Sequence, residues 1–258
     1  MDLRTLHAFI FDLDGCVYTG EALVPGVADV LAALRARKRR VLFLSNNSRE
    51  DGRELQAKLD RLGIPARPEE VLSAAEFAGT FLQTRFGPSR VLAIGSPTLL
   101  RRVVQAGHRL IHAEEAGNAQ VVLVGHDSGF TYETLAVLSR TVAAGAAFVA
   151  VNLDPRLPLE HGEFLPGCGA LVEAVAAAAG TRPEIVGKPR PHFFQAALGR
   201  LQVRPGEAAM IGDSLVADVQ GAQGAGLNTI WLAPPGAVPG LASPDITIHA
   251  FAELLAAL

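Results

Sequence analysis

Short apolar strands and amphipathic helices alternate along almost the whole chain, and this alternation limits the fold more than any other feature. Helical segments carry apolar residues on one face, as at Val27, Val30, Leu31 and Leu34. Repeated strand–helix–strand units are typical of a parallel sheet. The alternation therefore predicts an α/β fold. The strands are expected at residues 8–11, 41–44, 91–94, 121–124, 148–151, 208–211 and 229–232.

Polar residues at the ends of predicted strands lie mainly in the N-terminal and C-terminal parts of the sequence. Asp12, Ser45 and Asp213 occupy such positions, whereas the middle has its own strands and helices with fewer polar ends. This distribution predicts a core domain, residues 1–76 and 183–258, that is interrupted by an inserted α/β domain, residues 77–182.

Composition and charge exclude several classes of protein. Hydrophobic residues make up 49% of the 258 residues, so a sizeable core is available. A net charge of −3 argues against a broad nucleic-acid footprint. One basic run, residues 35–40, follows a helical stretch. We favour an interaction with the helix dipole over a nucleic-acid patch, because the run is short and isolated.

The cysteines and the apolar runs indicate the compartment. Cys16 and Cys168 lie in no CxxC pair, so neither a zinc site nor a disulfide framework is indicated. No run is both long enough and free enough of charge to span a bilayer, and the start of the chain lacks the layout of a signal peptide. A cytoplasmic protein with no membrane partner is the expectation.

Two carboxylates follow the first predicted strand at Asp12 and Asp14, with Gly15 after them. Residues two positions apart on a strand point to the same side. In open parallel sheets, ligands bind beyond the carboxyl ends of the strands. Two close anions repel unless a cation or a proton separates them, so the pair favours an oxygen-seeking cation such as Mg²⁺. The alternative is a solvated turn.

Further polar groups follow two more predicted strands. Ser45 and Asn46 can donate hydrogen bonds to phosphoryl oxygens, while Asn47 can cap the following helix. Asp213 follows the strand at residues 208–211 and could equally be a helix cap, and Asp218 comes five residues later.

A lysine lies between a glycine and a proline, at Gly187, Lys188 and Pro189, which restricts its position. Its ammonium could neutralise a nucleophile and a phosphoryl group. Each of these elements is weak by itself.

Together and in this order, the four elements resemble the motifs of the haloacid dehalogenase superfamily. The motifs are Asp12-Leu13-Asp14-Gly15, then Ser45-Asn46-Asn47, then Lys188-Pro189, then Gly212-Asp213-Ser214 with Asp218. The long insertion resembles the NagD-like branch, which includes nitrophenyl, phosphoglycolate and pyridoxal phosphatases. Two positions depart from that pattern: Cys16 stands where Thr or Val is common, and Leu153 where Pro is common.

The resemblance implies a Rossmann-like three-layer core with an α/β cap of the C2 type, and a Mg²⁺-dependent phosphatase. Asp12 would attack phosphorus and Asp14 would be the acid and base, which favours phosphate esters over haloacids. Asp12, the backbone carbonyl of Asp14, and Asp213 would hold the metal. Ser45, Asn46, Asn47 and Lys188 would bind the phosphoryl group, and Asp218 would orient Lys188 or a metal-bound water.

Several alternatives stay open at this level. A phosphate-ligand sensor without turnover and a phosphotransferase would use the same scaffold. The substrate is a small phosphate ester of unknown identity. Candidate contacts to it lie in the segment Asn152-Leu153-Asp154-Pro155-Arg156, where Arg156 could meet an anionic group, and around His161. Related proteins commonly pair through the cap, so a homodimer is a further open expectation.

Overall fold

The computed structural model describes residues 1–158, 163–234, 236–238, 240 and 242–258. The chain divides into two compact units. The first comprises residues 1–45, 52–72 and 188–258, and the second comprises residues 46–51 and 73–187. Within the described ranges, no helix combines the length and the apolar character that a membrane crossing would require.

The first unit is built on a six-stranded sheet in the order β15-β14-β13-β1-β4-β5. The pairings from β15 through β4 are all parallel. A small antiparallel hairpin of β2 and β3 follows β1. The strands are β1 (Ala8–Phe11), β2 (Tyr18–Thr19), β3 (Ala22–Leu23), β4 (Arg40–Ser45), β5 (Val71–Ser73), β13 (Ala208–Gly212), β14 (Asn228–Leu232) and β15 (Ile246–Ile248).

Helices cover both faces of this sheet. Phe9 and Phe11 belong to a buried cluster that also contains side chains of three helices, while Ile10, which points to the other face, is fully buried as well. The ring centroids of Phe11 and Phe43 lie 6.2 Å apart. The helices are α1 (Val27–Ala36), α2 (Gly52–Arg61), α7 (Pro191–Leu201), α8 (Gly221–Gly224) and α9 (Phe251–Ala257), with a π-helix at Leu215–Gln220.

The second unit is built on a five-stranded sheet in the order β12-β9-β8-β6-β7, with every pairing parallel. Its strands are β6 (Arg90–Ile94), β7 (Arg109–Ile111), β8 (Val121–Val124), β9 (Ala147–Ala150) and β12 (Glu184–Ile185), and β10 (Arg156–Pro158) pairs with β11 (Phe164–Pro166). Its helices are α3 (Ala74–Phe86), α4 (Pro97–Gln105), α5 (Tyr132–Ala143) and α6 (Cys168–Ala179).

The predicted α/β class is confirmed, and the seven predicted strands are present with ends shifted by at most one residue. They were predictable because each is a buried apolar run, as in β8, where all four residues are buried. The α1 helix extends two residues beyond the predicted apolar face, to Ala36. Gly63 has a positive φ of 84° and follows α2 closely, as expected of a glycine that stops a helix.

Candidate active site

Three neighbouring strands of the first unit bring a polar residue to the same edge of the sheet. β1 lies between β4 and β13 and is parallel to both. Asp12 directly follows β1, Ser45 is the last residue of β4, and Asp213 directly follows β13. The backbone N–H of Asp12 donates to the carbonyl of Ile211 at 2.9 Å, which extends the pairing of β1 with β13 to this point. The site thus lies at the carboxyl ends of parallel strands, where open α/β sheets bind ligands.

Lys188 joins two carboxylates in the interior of this site. Its Nζ lies 2.5 Å from Oδ1 of Asp12 and 2.7 Å from Oδ1 of Asp218. Lys188 and Asp218 are only 3% and 1% exposed, so both charges are withdrawn from bulk water. Because charge-assisted hydrogen bonds are short and strong, the ammonium fixes the positions of both carboxylates.

The position of Asp218 depends on a π-helical turn that follows β13. Ser214 caps this turn, since its Oγ accepts a hydrogen bond from the N–H of Ala217 at 3.1 Å. The backbone N–H of Ser214 donates to Oδ2 of Asp218 at 3.0 Å. A Cβ at Gly212 would collide with the Asp218 carboxylate, so only glycine allows this approach. π-helical turns are rare and occur frequently at functional sites.

Asp12, Asp213 and Asp218 form a group of carboxylates that could hold a cation. Each offers an oxygen, and these oxygens lie within 4.8 Å of one another. A Cβ at Gly15, which has a φ of 91°, would lie 2.6 Å from Oδ2 of Asp213, so glycine is also needed here. Carboxylate oxygens are the preferred ligands of hard divalent ions such as Mg²⁺ and Ca²⁺. Lys188 contributes one positive charge against these three carboxylates, so the group has room for the charge of a divalent ion.

The pKa values of Asp12 and Asp213 are raised, as expected where negative charges outnumber positive ones. Burial raises the pKa of Asp12 well above its usual range; Lys188 opposes this shift, whereas Asp218 and Asp213 add to it. Burial, together with repulsion from Asp218 and a smaller effect of Asp14, raises the pKa of Asp213 to about 6. Burial alone would lower the pKa of Lys188, but attraction by Asp12 and Asp218 outweighs it, so the pKa is raised and Lys188 stays an ammonium.

Asp14 differs from the other carboxylates of the site because its side chain is exposed. The backbone after β1 turns sharply here: Asp14 forms an isolated bridge with Tyr18, and the N–H of Gly15 donates to the carbonyl of Tyr18 at 2.8 Å. An exposed carboxylate two residues after a buried one can exchange protons with solvent or with a bound molecule.

The three residues predicted to bind phosphate fall in both units. Ser45 is buried and belongs to the first unit, whereas Asn46 and Asn47 belong to the second. Oδ1 of Asn47 accepts hydrogen bonds from the N–H groups of Arg49 and Glu50 at 2.8 and 2.9 Å. The side chain of Asn47 therefore stabilises the turn after β4. Because α2 begins only at Gly52, these two hydrogen bonds are not the helix cap that the sequence suggested.

The second unit contains the residues predicted to select the substrate. Asn152 is buried and donates from Nδ2 to the carbonyl of Asn46 at 2.6 Å. The N–H of Asp154 donates to Oδ1 of Asn152 at 3.0 Å. The guanidinium of Arg156 lies 4.1 Å from the ring centroid of Phe164. His161 lies outside the described residues.

Two residues near the site had no predicted role. Trp231, the last residue but one of β14, donates from Nε1 to the backbone carbonyl of Asp213 at 2.8 Å. Cys16 is buried, and its Sγ lies 3.6 Å from the carbonyl of Ile211. The sequence offers one hint for Trp231, which is that the single tryptophan of the chain lies near the end of an apolar strand. A tryptophan in that position is normally part of the core, so the hint does not indicate a contact with the site.

Two family models match this chain. The model described as haloacid dehalogenase-like hydrolase matches residues 9–109, and a HAD-hydrolase-like model matches residues 185–235. These ranges contain Asp12, Lys188 and Asp213.

Named relatives cover most of the chain. The acid sugar phosphatase of Staphylococcus haemolyticus is 31% identical over 88% of this chain and 85% of its own length. The human glycerol-3-phosphate phosphatase is 33% identical over 88% of this chain and 79% of its own length.

Solved structures have the same fold. The 4-nitrophenylphosphatase of Thermotoga maritima has a TM-score of 0.88 with 28% identity, over 98% of both chains. The glycerol phosphate phosphatase of Mycobacterium tuberculosis in complex with magnesium has a TM-score of 0.88 with 31% identity, over 97% of this chain and 77% of that one. The chain belongs to the haloacid dehalogenase-like hydrolases, in the NagD-like branch of phosphatases.

Proposed function

We propose that this protein is a Mg²⁺-dependent phosphomonoester hydrolase that forms an aspartyl-phosphate on Asp12. The observation that carries the proposal is the contact of Lys188 with both Asp12 and Asp218, beside Asp213. A buried carboxylate that is held by an ammonium at the carboxyl end of a parallel sheet is suited to attack a bound phosphate ester.

The first step is the attack of Asp12 on phosphorus. An oxygen of its carboxylate forms a bond to phosphorus while the bond from phosphorus to the ester oxygen breaks, and Asp14 gives its proton to the leaving oxygen. The ammonium of Lys188 opposes the rise in the pKa of Asp12 that burial causes, so it favours the ionised nucleophile, and it reduces repulsion between Asp12 and the incoming phosphoryl group.

The second step regenerates the enzyme. Asp14 takes a proton from a water molecule, the water oxygen bonds to phosphorus, and the bond between phosphorus and Asp12 breaks, which releases inorganic phosphate. The exposure of Asp14 supports this role, because the group must reach both an ester oxygen and water.

The residues that would hold Mg²⁺ are Asp12, Asp213 and the backbone carbonyl of Asp14, with Asp218 close enough to contribute. When bound, the ion would neutralise charge on the phosphoryl oxygens. Asp218 also holds Lys188 in place, which supports a role in orienting the ammonium.

Ser45, Asn46 and Asn47 are proposed to donate hydrogen bonds to the phosphoryl oxygens. Ser45 ends the strand beside the one that leads to Asp12, so its hydroxyl is placed at the same edge of the sheet. The side chain of Asn47 also stabilises its own turn through Arg49 and Glu50.

Small phosphorylated metabolites are the proposed substrates, and the second unit is proposed to select among them. Relatives named for sugar phosphates and glycerol phosphate make these compounds the first ones to test. Exchange of the loop from Asn152 to Arg156 for that of a relative should change the ranking of substrates. An unchanged ranking would argue against this role.

Release of inorganic phosphate over many turnovers tests the proposal directly. With Mg²⁺ and p-nitrophenyl phosphate, Asp12→Asn should reduce turnover by about 10⁴-fold or more. Asp29→Asn makes the same chemical change on the exposed surface of α1 and should leave turnover intact. Turnover by Asp12→Asn at the wild-type rate would remove the proposal. A sensor would bind phosphate without turnover, and a phosphotransferase would pass the group to an added alcohol in preference to water.

A further inference from the structure

The turn at residues 46–51 follows β4 directly and belongs to the second unit. Other parts of this unit donate hydrogen bonds to the backbone carbonyls of Asn46, Asn47, Arg49 and Glu50. A turn that is held at so many of its carbonyls has little freedom to change its conformation. The second unit therefore determines the position of Asn46, which is a proposed ligand of the phosphoryl group.

Two of the donors are serines that also cap helices. Ser73 is the N-cap of α3 and Ser96 is the N-cap of α4, and each Oγ accepts a hydrogen bond from the backbone of its helix. The same hydroxyls donate to the turn, Ser73 to the carbonyl of Glu50 at 2.6 Å and Ser96 to that of Arg49 at 2.5 Å. A hydroxyl that accepts one hydrogen bond and donates another has a fixed orientation. The later part of the turn is thus anchored to the starts of two helices.

The backbone of Asn46 is held by the side chain of Asn152. Asn152 lies just beyond the end of β9 and is 4% exposed. Its Nδ2 donates to the carbonyl of Asn46 at 2.6 Å, and its Oδ1 accepts from the N–H of Asp154 at 3.0 Å. Because one partner is an acceptor and the other a donor, only one orientation of the amide satisfies both. Asn152 therefore holds Asn46 with a side chain that is itself fixed.

The side chain of Asn46 lies against the backbone of Gly187. A Cβ at Gly187 would collide with Oδ1 of Asn46 and would lie 3.1 Å from the carbonyl oxygen of Val151. The N–H of Gly187 donates to that same carbonyl at 2.9 Å. Since Val151 directly precedes Asn152, the segment that holds the backbone of Asn46 also holds the glycine against which its side chain lies.

We propose that Asn152 is a positioning residue that orients Asn46 toward the phosphoryl group. The role rests on the proposed phosphatase function, in which Asn46 binds that group. Donors that stabilise a transferring group must be held accurately by their neighbours, because a displacement of about 1 Å can reduce the rate about a hundredfold. Asn152 is buried and its amide is engaged within the second unit, so it acts through Asn46 and not by contact with the ester.

The same amide joins two functional segments of the second unit. Nδ2 of Asn152 holds the turn that contains Asn46, whereas Oδ1 holds Asp154 in the loop that is proposed to select the substrate. Asp154 and Arg156 remain the candidates in that loop for contact with the part of the substrate that differs between esters.

Steady-state kinetics of Asn152→Ala with Mg²⁺ test the proposal. The phosphoryl group is common to all esters, so kcat/KM should fall by the same factor, roughly tenfold to a hundredfold, for p-nitrophenyl phosphate and for glycerol 3-phosphate. Inhibition by inorganic phosphate should weaken by about tenfold, as for the loss of a hydrogen bond to a charged group. Direct contact of Asn152 with the leaving group would instead give unequal losses and unchanged inhibition by phosphate, which would overturn the proposal.

Asn228→Ala is the matched control. The Nδ2 of Asn228 also donates to backbone carbonyls, those of Gly206 and Ala208 at 3.0 Å, but Asn228 begins β14, whereas the site lies beyond the carboxyl ends of the strands. This variant should lose stability in thermal unfolding and keep the wild-type kinetic constants. Calorimetric titration with Mg²⁺ alone should give the wild-type affinity in Asn152→Ala, because the proposed role concerns the phosphoryl group and not the metal.

Three results would contradict the positioning role. They are unchanged kcat/KM and phosphate inhibition in folded Asn152→Ala, an equal kinetic loss in Asn228→Ala, and a weakened Mg²⁺ affinity in Asn152→Ala. Asn152→Asp keeps the size of the side chain and the acceptor for Asp154 but lacks the Nδ2 donor, so it replaces Asn152→Ala in the comparison if that variant does not fold. Turnover by the wild type tests the proposed function separately, so a failure of the positioning role alone is recognised.

Discussion

The indole Nε1 of Trp231 donates a hydrogen bond to the backbone carbonyl of Asp213 at 2.8 Å. Trp231 is buried and lies on β14, next to the strand that ends before Asp213. Groups that hold a metal ligand in place commonly change metal affinity or activity by 10- to 100-fold when they are removed. We therefore expect Trp231→Phe to raise the Mg²⁺ concentration needed for half-maximal activity by about tenfold. An unchanged Mg²⁺ requirement would show that this hydrogen bond has no influence on Asp213.

The same contact makes the single tryptophan of the chain a reporter of metal binding. Addition of Mg²⁺ to the wild-type protein without substrate should change the emission of Trp231 in a saturable manner, and EDTA should reverse the change. Asp213→Asn is the control, because it keeps the indole and removes a proposed ligand. A metal-dependent emission change of the same size in Asp213→Asn would contradict the proposed binding site.

Replacement of Lys188 by methionine should destabilise the first unit. The change leaves Asp12 and Asp218 buried without their common cation. Removing one partner of a buried ion pair costs about 3–5 kcal/mol. Urea unfolding in EDTA should show this loss, and Mg²⁺ should restore part of it by supplying positive charge. If Lys188→Met is as stable as the wild type without metal, the pairing has no net stabilising effect.

Gly212→Ala should disturb the site through Asp218. The new Cβ would collide with a carboxylate that is already held by Lys188 and by the N–H of Ser214. We expect a loss of stability of about 1–3 kcal/mol, as for overpacking, together with reduced turnover. Gly199→Ala is the matched control, since its Cβ meets nothing within 4 Å and its position in α7 favours alanine. Similar losses in both variants would refute the steric argument.

Asp14→Asn should affect esters according to their leaving group. General acid catalysis contributes about 10²–10⁴-fold, and an alkoxide needs a proton far more than nitrophenolate does. The loss of turnover should therefore be larger for glycerol 3-phosphate than for p-nitrophenyl phosphate. Steady-state rates with both compounds check this expectation, and equal losses would exclude Asp14 as the acid.

The two cysteines should resist thiol reagents in the folded protein. Burial raises the pKa of Cys168 to about 12, and burial with the nearby Asp12 raises the pKa of Cys16 well above its usual range. Because the thiolate is the reactive form, a raised pKa means that the reactive fraction at pH 8 is smaller than for a free cysteine. Ellman's reagent should label neither thiol natively and both in guanidinium chloride. Rapid labelling of the native protein would show that one thiol is accessible.

Local patterns were sufficient for the main strands, and they indicated some polar residues after strands as candidates for a site. A run such as Ala8–Phe11 is apolar throughout, so it is recognised as a buried strand without knowledge of its neighbours. The polar residue after such a strand, as at Asp12, then indicates a ligand site. Short elements such as β5, β12 and β15 carry two or three residues each and have too little pattern to be predicted in the same way.

Only the tertiary structure showed how these residues meet. Lys188 is 176 positions from Asp12 in the sequence and 30 from Asp218, and its contacts depend on the order of strands and on the π-helical turn after β13. The side chain of Trp231 reaches Asp213 only because β13 and β14 are paired. Burial patterns along a chain are local and can be read from the sequence, whereas distances between side chains depend on long-range pairing, which no local pattern encodes.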